Sequence, residues 1–239
     1  MSDWAPKRFW KTADAVEVDH GYSVALDGRA VKTPAKNALC VPSLELAKAI
    51  AEEWDAQDKT VEPDTMPLTR LANSAVDKVA TQHAEVADLL AEYGASDLIC
   101  YRATGPDALI ARQSAAWDSF LDWARQTLDI DLVVQTGVMP IDQPVSSVQR
   151  IKELTHQFDA FALTAFHELV SLSGSWVIGM YAMRESVDID TLWTAAIVDD
   201  LFQAEKWGDD DEALEMRALK QHSFSCANRF SQLCRGGIS

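Results

Sequence analysis

Two alternating stretches, Ala15-Val16-Glu17-Val18 and Tyr22-Ser23-Val24-Ala25-Leu26, stand on either side of Asp19-His20-Gly21. Alternation of apolar and polar residues is the period of a strand with one buried face. A glycine between two such stretches gives the turn a residue free to take positive φ. A second turn follows at once. Asp27-Gly28 is a two-residue hairpin signal, because a type I′ turn needs positive φ at both central positions. Ala30-Val31-Lys32-Thr33 then predicts a third strand ended by Pro34, and Ala38–Val41 a fourth. Residues 8–42 therefore read as a small antiparallel β-meander. Its glycines serve turns, since a phosphate-binding loop needs more of them and a helix directly after.

After Pro42 the period changes to that of a helix. Ser43 is a candidate N-cap. Leu44, Ala47, Ile50, Ala51 and Trp54 follow as an i, i+3, i+4 stripe. Pro63 and Pro67 make residues 59–67 an irregular link. Residues 68–93 read as helix broken near Thr81, begun near Thr69 and stopped by Gly94. Ser96-Asp97 opens a short helix over Leu98–Arg102, and Gly105-Pro106-Asp107 a long one to about Leu128. Pro140 and Pro144 mark a connector, and from Val145 onward the chain reads as helices. Their joints fall near Phe158, Ser173-Gly174, Ser186–Asp190 and Gly208–Asp211. The fold class predicted is α+β, a small N-terminal antiparallel β-rich unit followed by a larger all-helical unit. The expected division places residues 1–80 in the β-meander unit with the first helices and residues 81–239 in the helical domain. No internal repeat or low-complexity tract interrupts this order.

The charge is uneven. The net is −16, but residues 1–80 hold 10 Lys/Arg against 13 Asp/Glu, and residues 81–239 hold 11 against 24. An acidic surface repels nucleic acid and anionic membranes and favours a basic or polar protein partner. Nearly half of the residues are hydrophobic, enough for a sizeable core, yet no apolar run reaches the length of a membrane span. Met1–Trp10 lacks the hydrophobic region of a signal peptide and the basic, serine-rich character of a presequence. Cys40, Cys100, Cys226 and Cys234 form no CxxC pair and have no histidine at ligand spacing. They are expected to be reduced and buried, as in a cytosolic protein.

Enzyme signatures are missing. There is no Walker A loop and no GxGxxG. His167-Glu168 begins like a zinc-protease motif, but Ser171 stands where the second histidine belongs. Ser173-Gly174-Ser175 does not make GxSxG, and Gly174 and Gly179 are read as sites of close helix packing. The run Asp209–Glu212 lacks the spaced oxygens of a calcium loop and suits the start of a helix, where the dipole favours negative charge. Asp188 and Asp190 are read as turn and cap residues. No residue is assigned a catalytic, cofactor-binding or metal-binding role.

The more specific constellation is Asp199-Asp200-Leu201-Phe202-Gln203-Ala204-Glu205-Lys206-Trp207-Gly208. On a helix, Asp199, Gln203 and Trp207 stand at i, i+4 and i+8, presenting an acid, an amide and a large aromatic. Such a set suits a protein interface. The residues alone favour the plainer reading for Trp207, packing into the core at a helix end with Gly208 as the stop. They leave Asp199 evenly divided.

Several of these segments resemble the ATP12 family, chaperones that assist assembly of the F1 sector of ATP synthase. The similar pieces are Arg8-Phe9-Trp10-Lys11, the stretch Leu26–Pro34, the stretch Met66–Asn73, Ser171–Ser175, and the pattern Gln203-x-x-x-Trp207-Gly208. They occur in order along the chain from Arg8 to about Arg217. Eukaryotic members carry a functionally important glutamate four residues before that glutamine; Asp199 matches it here with an acid one methylene shorter, and Glu205 lies near enough to share the role. The resemblance implies a chaperone and not an enzyme. The implied role is transient binding of the free F1 α subunit until it pairs with β, with Asp199, Gln203, Glu205 and Trp207 at the contact. It implies no cofactor, no nucleic acid, no membrane insertion and no small-molecule substrate. It also implies a bacterial member, of alphaproteobacterial type, in the cytoplasm, with eukaryotic relatives in mitochondria. The alternative is a small-molecule hydrolase with an acidic site in the helical domain, which needs a carboxyl of raised pKa in a pocket.

Overall fold

The computed structural model describes residues 7–236; the first six residues of the leader reading at Met1–Trp10 lie outside them. Two compact units are built from discontinuous stretches. The first takes the chain up to His83, Ala160–Ala165 and the end from Arg229; the second takes Ala84–Asp159 and Phe166–Asn228.

In the first unit the meander forms as β1 (Ala13–Val18), β2 (Gly21–Leu26) and β3 (Arg29–Ala30), all antiparallel neighbours in the order β1-β2-β3. The register runs from Ala13↔Leu26 to Val18↔Gly21. Asp27 (φ 47°) and Gly28 (φ 77°) both take positive φ at the second turn, as the hairpin signal requires. The Asp27 carboxylate accepts from the amides of Lys11 and Thr12, both at 3.0 Å. Those bonds hold its pKa below the usual carboxylate range.

The third strand is shorter than expected, and the fourth is reduced to isolated bridges, Lys32↔Ala38 and Tyr22↔Val41. The reason lies in Asp77. Its carboxylate accepts from Thr33 Oγ1 (2.6 Å), Asn37 Nδ2 (2.8 Å) and the Ala35 amide (3.1 Å). The segment after Val31 is thus organised around a carboxylate distant in sequence, and the ladder gives way.

Helix α1 (Leu44–Asp55) starts where predicted. Ser43 Oγ accepts from the Leu46 amide at 3.0 Å and donates to the Leu233 carbonyl. The helix covers β1 and β2 with Leu46, Ala47, Ile50 and Ala51. Trp54 is half-buried and meets Trp10 edge-on at 5.2 Å. The N-terminus of α2 (Pro67–Ser74) is capped from α1, not by Thr69. Glu53 accepts from the amides of Leu68 (2.7 Å) and Thr69 (2.8 Å) and from Thr69 Oγ1 (2.7 Å). Burial raises the pKa of Glu53, and these bonds oppose the shift.

A π turn over Ala75–Val79 leads to α3 (His83–Ala95). Gly94 does not stop this helix. It is buried inside it, where a Cβ would lie 2.7 Å from Ile151 Cγ2 of α5 (Val145–His156). The short helix expected over Leu98–Arg102 is a single 3₁₀ turn, Leu98–Cys100. A strand β4 (Tyr101–Arg102) follows and pairs in parallel with β5 (Gln135–Thr136). Between them runs α4 (Asp107–Leu128), ended by Asp129 in the left-handed conformation at φ 60°.

The remaining helices are α6 (Ala160–Ser173), α7 (Trp176–Arg184), α8 (Ile189–Ala196), α9 (Val198–Trp207) and α10 (Asp211–Cys234). The break at Ile197 between α8 and α9 has no glycine or proline to announce it. Of the two glycines expected to allow close packing, only Gly179 does so: a Cβ there would sit 2.8 Å from Val170 Cγ2. Gly174 instead takes φ 69° and ends α6, its Cβ position only in ordinary contact with Leu98.

The core of the second unit centres on two fully enclosed tryptophans. Trp117 donates to the Ala195 carbonyl at 2.8 Å, and Trp176 to Thr155 Oγ1 at 2.9 Å. Asp97 is wholly buried beside Trp176. It accepts from the amides of Ile99 (3.2 Å) and Val177 (2.9 Å), and burial drives its carboxyl up to about 6 despite these bonds. Of the four cysteines only Cys100 is buried as expected; Cys40, Cys226 and Cys234 are half-buried. Burial pushes the Cys100 thiol up to about 12.

Candidate functional site

The short helix α9 carries all four residues singled out in the sequence, and it divides them between two neighbours. The first acid faces α4. Gln113 of α4, 2 % exposed, donates from Nε2 to Asp199 Oδ1 at 2.7 Å, and its own Oε1 accepts from the Ala103 amide at 2.8 Å. Asp199 is therefore a half-buried carboxylate held in one place by a buried amide. Glu205 also faces α4. Its two oxygens take both terminal nitrogens of Arg112 at 2.8 Å, a bidentate ion pair. The pairing lowers the pKa of Glu205 and raises that of Arg112. Phe202 lies beneath, with Arg112 at 5.5 Å and Lys206 at 5.6 Å from its ring.

Gln203 and Trp207 point the other way. They line a groove of about 680 Å³ together with Asp200 and Ala204 of α9. Ala213, Met216, Arg217 and Lys220 of α10 line it as well, and the joint Ser173-Gly174 contributes to the remaining wall. Trp207 is 80 % exposed, so the core reading of this residue gives way to an open one. Gly208, at φ 82°, does end the helix. The division follows from helical pitch. At 3.6 residues per turn, a residue eight positions on lies about 80° round the helix from the first. The three-residue face expected of Asp199, Gln203 and Trp207 therefore bends away from α4 as it goes, and Asp200 supplies the acid on the groove side. Asp200 is a groove residue that spacing alone missed; comparing the helical phase of Asp199 and Asp200 with Trp207 would have found it.

The joint of α9 and α10 is stiffened by its acids. Asp209 pairs with Arg217 at 2.7 and 2.8 Å, and Asp210 caps α10 by accepting from the Ala213 amide at 2.7 Å. Asp188 caps α8, accepting from Thr191. Asp190 accepts from Gln221. Among the described residues, no group of three or more His, Cys, Asp or Glu side chains could hold a metal ion. No described helix is long and apolar enough to cross a membrane.

An arrangement of this kind presents an aromatic and a thioether to solvent over a fixed groove. Its make-up is that of a binding surface. The comparisons with known proteins agree. The profile of the ATP12 chaperone protein family matches residues 7–125. The crystal structure of Atp12 from Paracoccus denitrificans superposes with a TM-score of 0.93 at 40 % identity, covering 96 % of this chain and 99 % of that one. The Atu1473 protein of Agrobacterium tumefaciens gives a TM-score of 0.91 at 36 % identity, covering 95 % of this chain and 85 % of that one. Mitochondrial atp12 of Schizosaccharomyces pombe is 25 % identical over 228 residues, 88 % of this chain and 76 % of the yeast protein. These matches, not the lack of a catalytic group, decide against the hydrolase alternative. With an N-terminal three-stranded meander, a helical remainder and near-complete coverage by solved Atp12 at 40 % identity, the chain belongs to the ATP12 chaperone family.

Proposed function

We propose that this chaperone binds the free α subunit of the F1 sector of ATP synthase, in the bacterial cytoplasm, and releases it when the β subunit arrives. An unpaired α subunit exposes the apolar face that later docks β, and such patches aggregate. A protein that covers this face lowers the free concentration of the sticky species. Its affinity must stay moderate, because β has to displace it. The observation that carries the reading is Trp207, a large aromatic 80 % exposed beside Gln203 on a helix fixed to α4 through Asp199 and Glu205. Exposed tryptophan on a rigid support is the residue type that anchors protein interfaces. In this reading Gln203 and Trp207 touch the client, while Asp199 and Glu205 set the position of the helix that carries them.

The test is co-expression with the cognate α subunit, alone and then with β, followed by size-exclusion chromatography. The expected result is a soluble complex with α that disappears when β is added. If α aggregates equally with and without the chaperone, the proposal is wrong.

A further inference from the structure

Three features of the second unit coincide at the groove between α9 and α10. Its walls expose large apolar groups that the fold does not use: Trp207 is 80 % and Met216 49 % exposed. Trp193 also lines it. That ring is 97 % buried, yet its indole N–H has no hydrogen-bond partner among the described residues. A buried donor left unpaired is uncommon, because desolvating it without a partner is costly. The charge around the groove is one-sided. Within the lining, Asp200 and Asp209 are balanced by Arg217 and Lys220. At the edge, however, the joint continues into Asp210, Asp211 and Glu212, and no Lys or Arg stands between positions 207 and 216. Asp211 and Glu212 are exposed and enter no salt bridge among the described residues.

We propose that this groove holds one segment of the client subunit, a short apolar stretch flanked by Lys or Arg, and so reads client sequence. The inference rests on the chaperone reading above and names the chemistry of what is bound. The apolar side chains lie against Trp207 and Met216. A backbone carbonyl reaches the Trp193 N–H after a small adjustment of the ring, and the basic flank passes over Asp211 and Glu212. Opposite charge at the rim speeds encounter and rejects acidic segments. The same charge argues against the other occupants of an apolar groove. A second copy of a chain with net charge −16 and an anionic lipid surface are both repelled.

The experiment uses the full chain and overlapping peptides covering the cognate α subunit, with one designed apolar peptide made in Lys-flanked and Glu-flanked forms. The expected result is retention of apolar, basic-flanked peptides and of the Lys-flanked design, weakening as salt rises. Trp207→Ala should lower peptide affinity about tenfold or more, and Ala213→Trp, which fills the groove, should abolish binding. Asp211→Lys with Glu212→Lys should move the preference to the Glu-flanked design. Trp193→Phe keeps the ring but removes the donor, and should weaken binding severalfold with no fall in thermal midpoint. Each variant is checked for an unchanged midpoint, so a folding defect cannot pass for a binding one. If the wild type captures the α subunit and Ala213→Trp captures it equally well, the groove proposal is overturned while the chaperone reading stands. If the wild type fails to capture α at all, the chaperone reading fails, and the peptide preference alone decides whether the groove is a site. Equal retention of both designed peptides overturns the charge preference and with it the proposal.

Discussion

The interior around Asp97 and Trp176 and the surface formed by α9 and α10 treat the same residue types in opposite ways. Inside, a carboxylate is wholly buried and accepts from backbone amides, a tryptophan is enclosed and its N–H paired, and two glycines let neighbouring helices approach. On the surface, a tryptophan stands open and carboxylates crowd one joint. The first arrangement spends its polar groups on a single packing. The second leaves apolar area and hydrogen-bonding capacity for something outside the chain. The contrast separates residues that hold the fold from residues available for a client.

Four substitutions test that contrast, and the largest effect is expected inside. Trp176→Ala removes a fully enclosed indole that packs against Phe166 and donates to Thr155. It should lower unfolding free energy by about 3–5 kcal/mol in urea titration; a loss below 1 kcal/mol would mean that the site collapses freely. Gly179→Ala places a methyl 2.8 Å from Val170 and 3.2 Å from Phe166. The cost should be about 1–3 kcal/mol, since α6 and α7 must separate slightly.

Asp97 provides a pH signature. Its native carboxyl keeps a proton up to about pH 6, whereas the unfolded chain loses it near 3.8. Its contribution to stability is therefore greatest below about pH 3.8, declines as pH rises to about 6, and is level above. Unfolding curves of the wild type and Asp97→Asn should differ in that sense across the window, and a pH-independent difference would refute the assignment. On the surface, Trp207→Ala should change stability by less than about 0.5 kcal/mol while reducing capture of the α subunit. A large loss of stability would place Trp207 with the interior after all.

Local signals carried the fold a long way. The Asp27-Gly28 turn, the Ser43 cap and the joints at Ser173-Gly174 and Gly208 are set by backbone preferences of a few residues, and each stands where the sequence places it. The misreadings share one cause. Gly94 has the composition of a helix stop, but Ile151, distant in sequence, needs the space. The meander shortens because Asp77 collects the polar groups of residues 33–37. Leu98–Arg102 has helical composition, but after one 3₁₀ turn its backbone pairs with Gln135–Thr136.

The candidate site shows the same division. The order of residues along α9 put Asp199, Gln203, Glu205 and Trp207 within one helix, and it fixed the excess of acids at the joint with α10. Periodicity is a property of one chain segment, so both were legible in the sequence. Which side of α9 meets α4 and which opens onto a groove depends on Gln113 and Arg112, distant in sequence, and on the path of α10. Exposure of Trp207 is decided there too, because burial is set by what the rest of the chain brings alongside, and no local pattern encodes that.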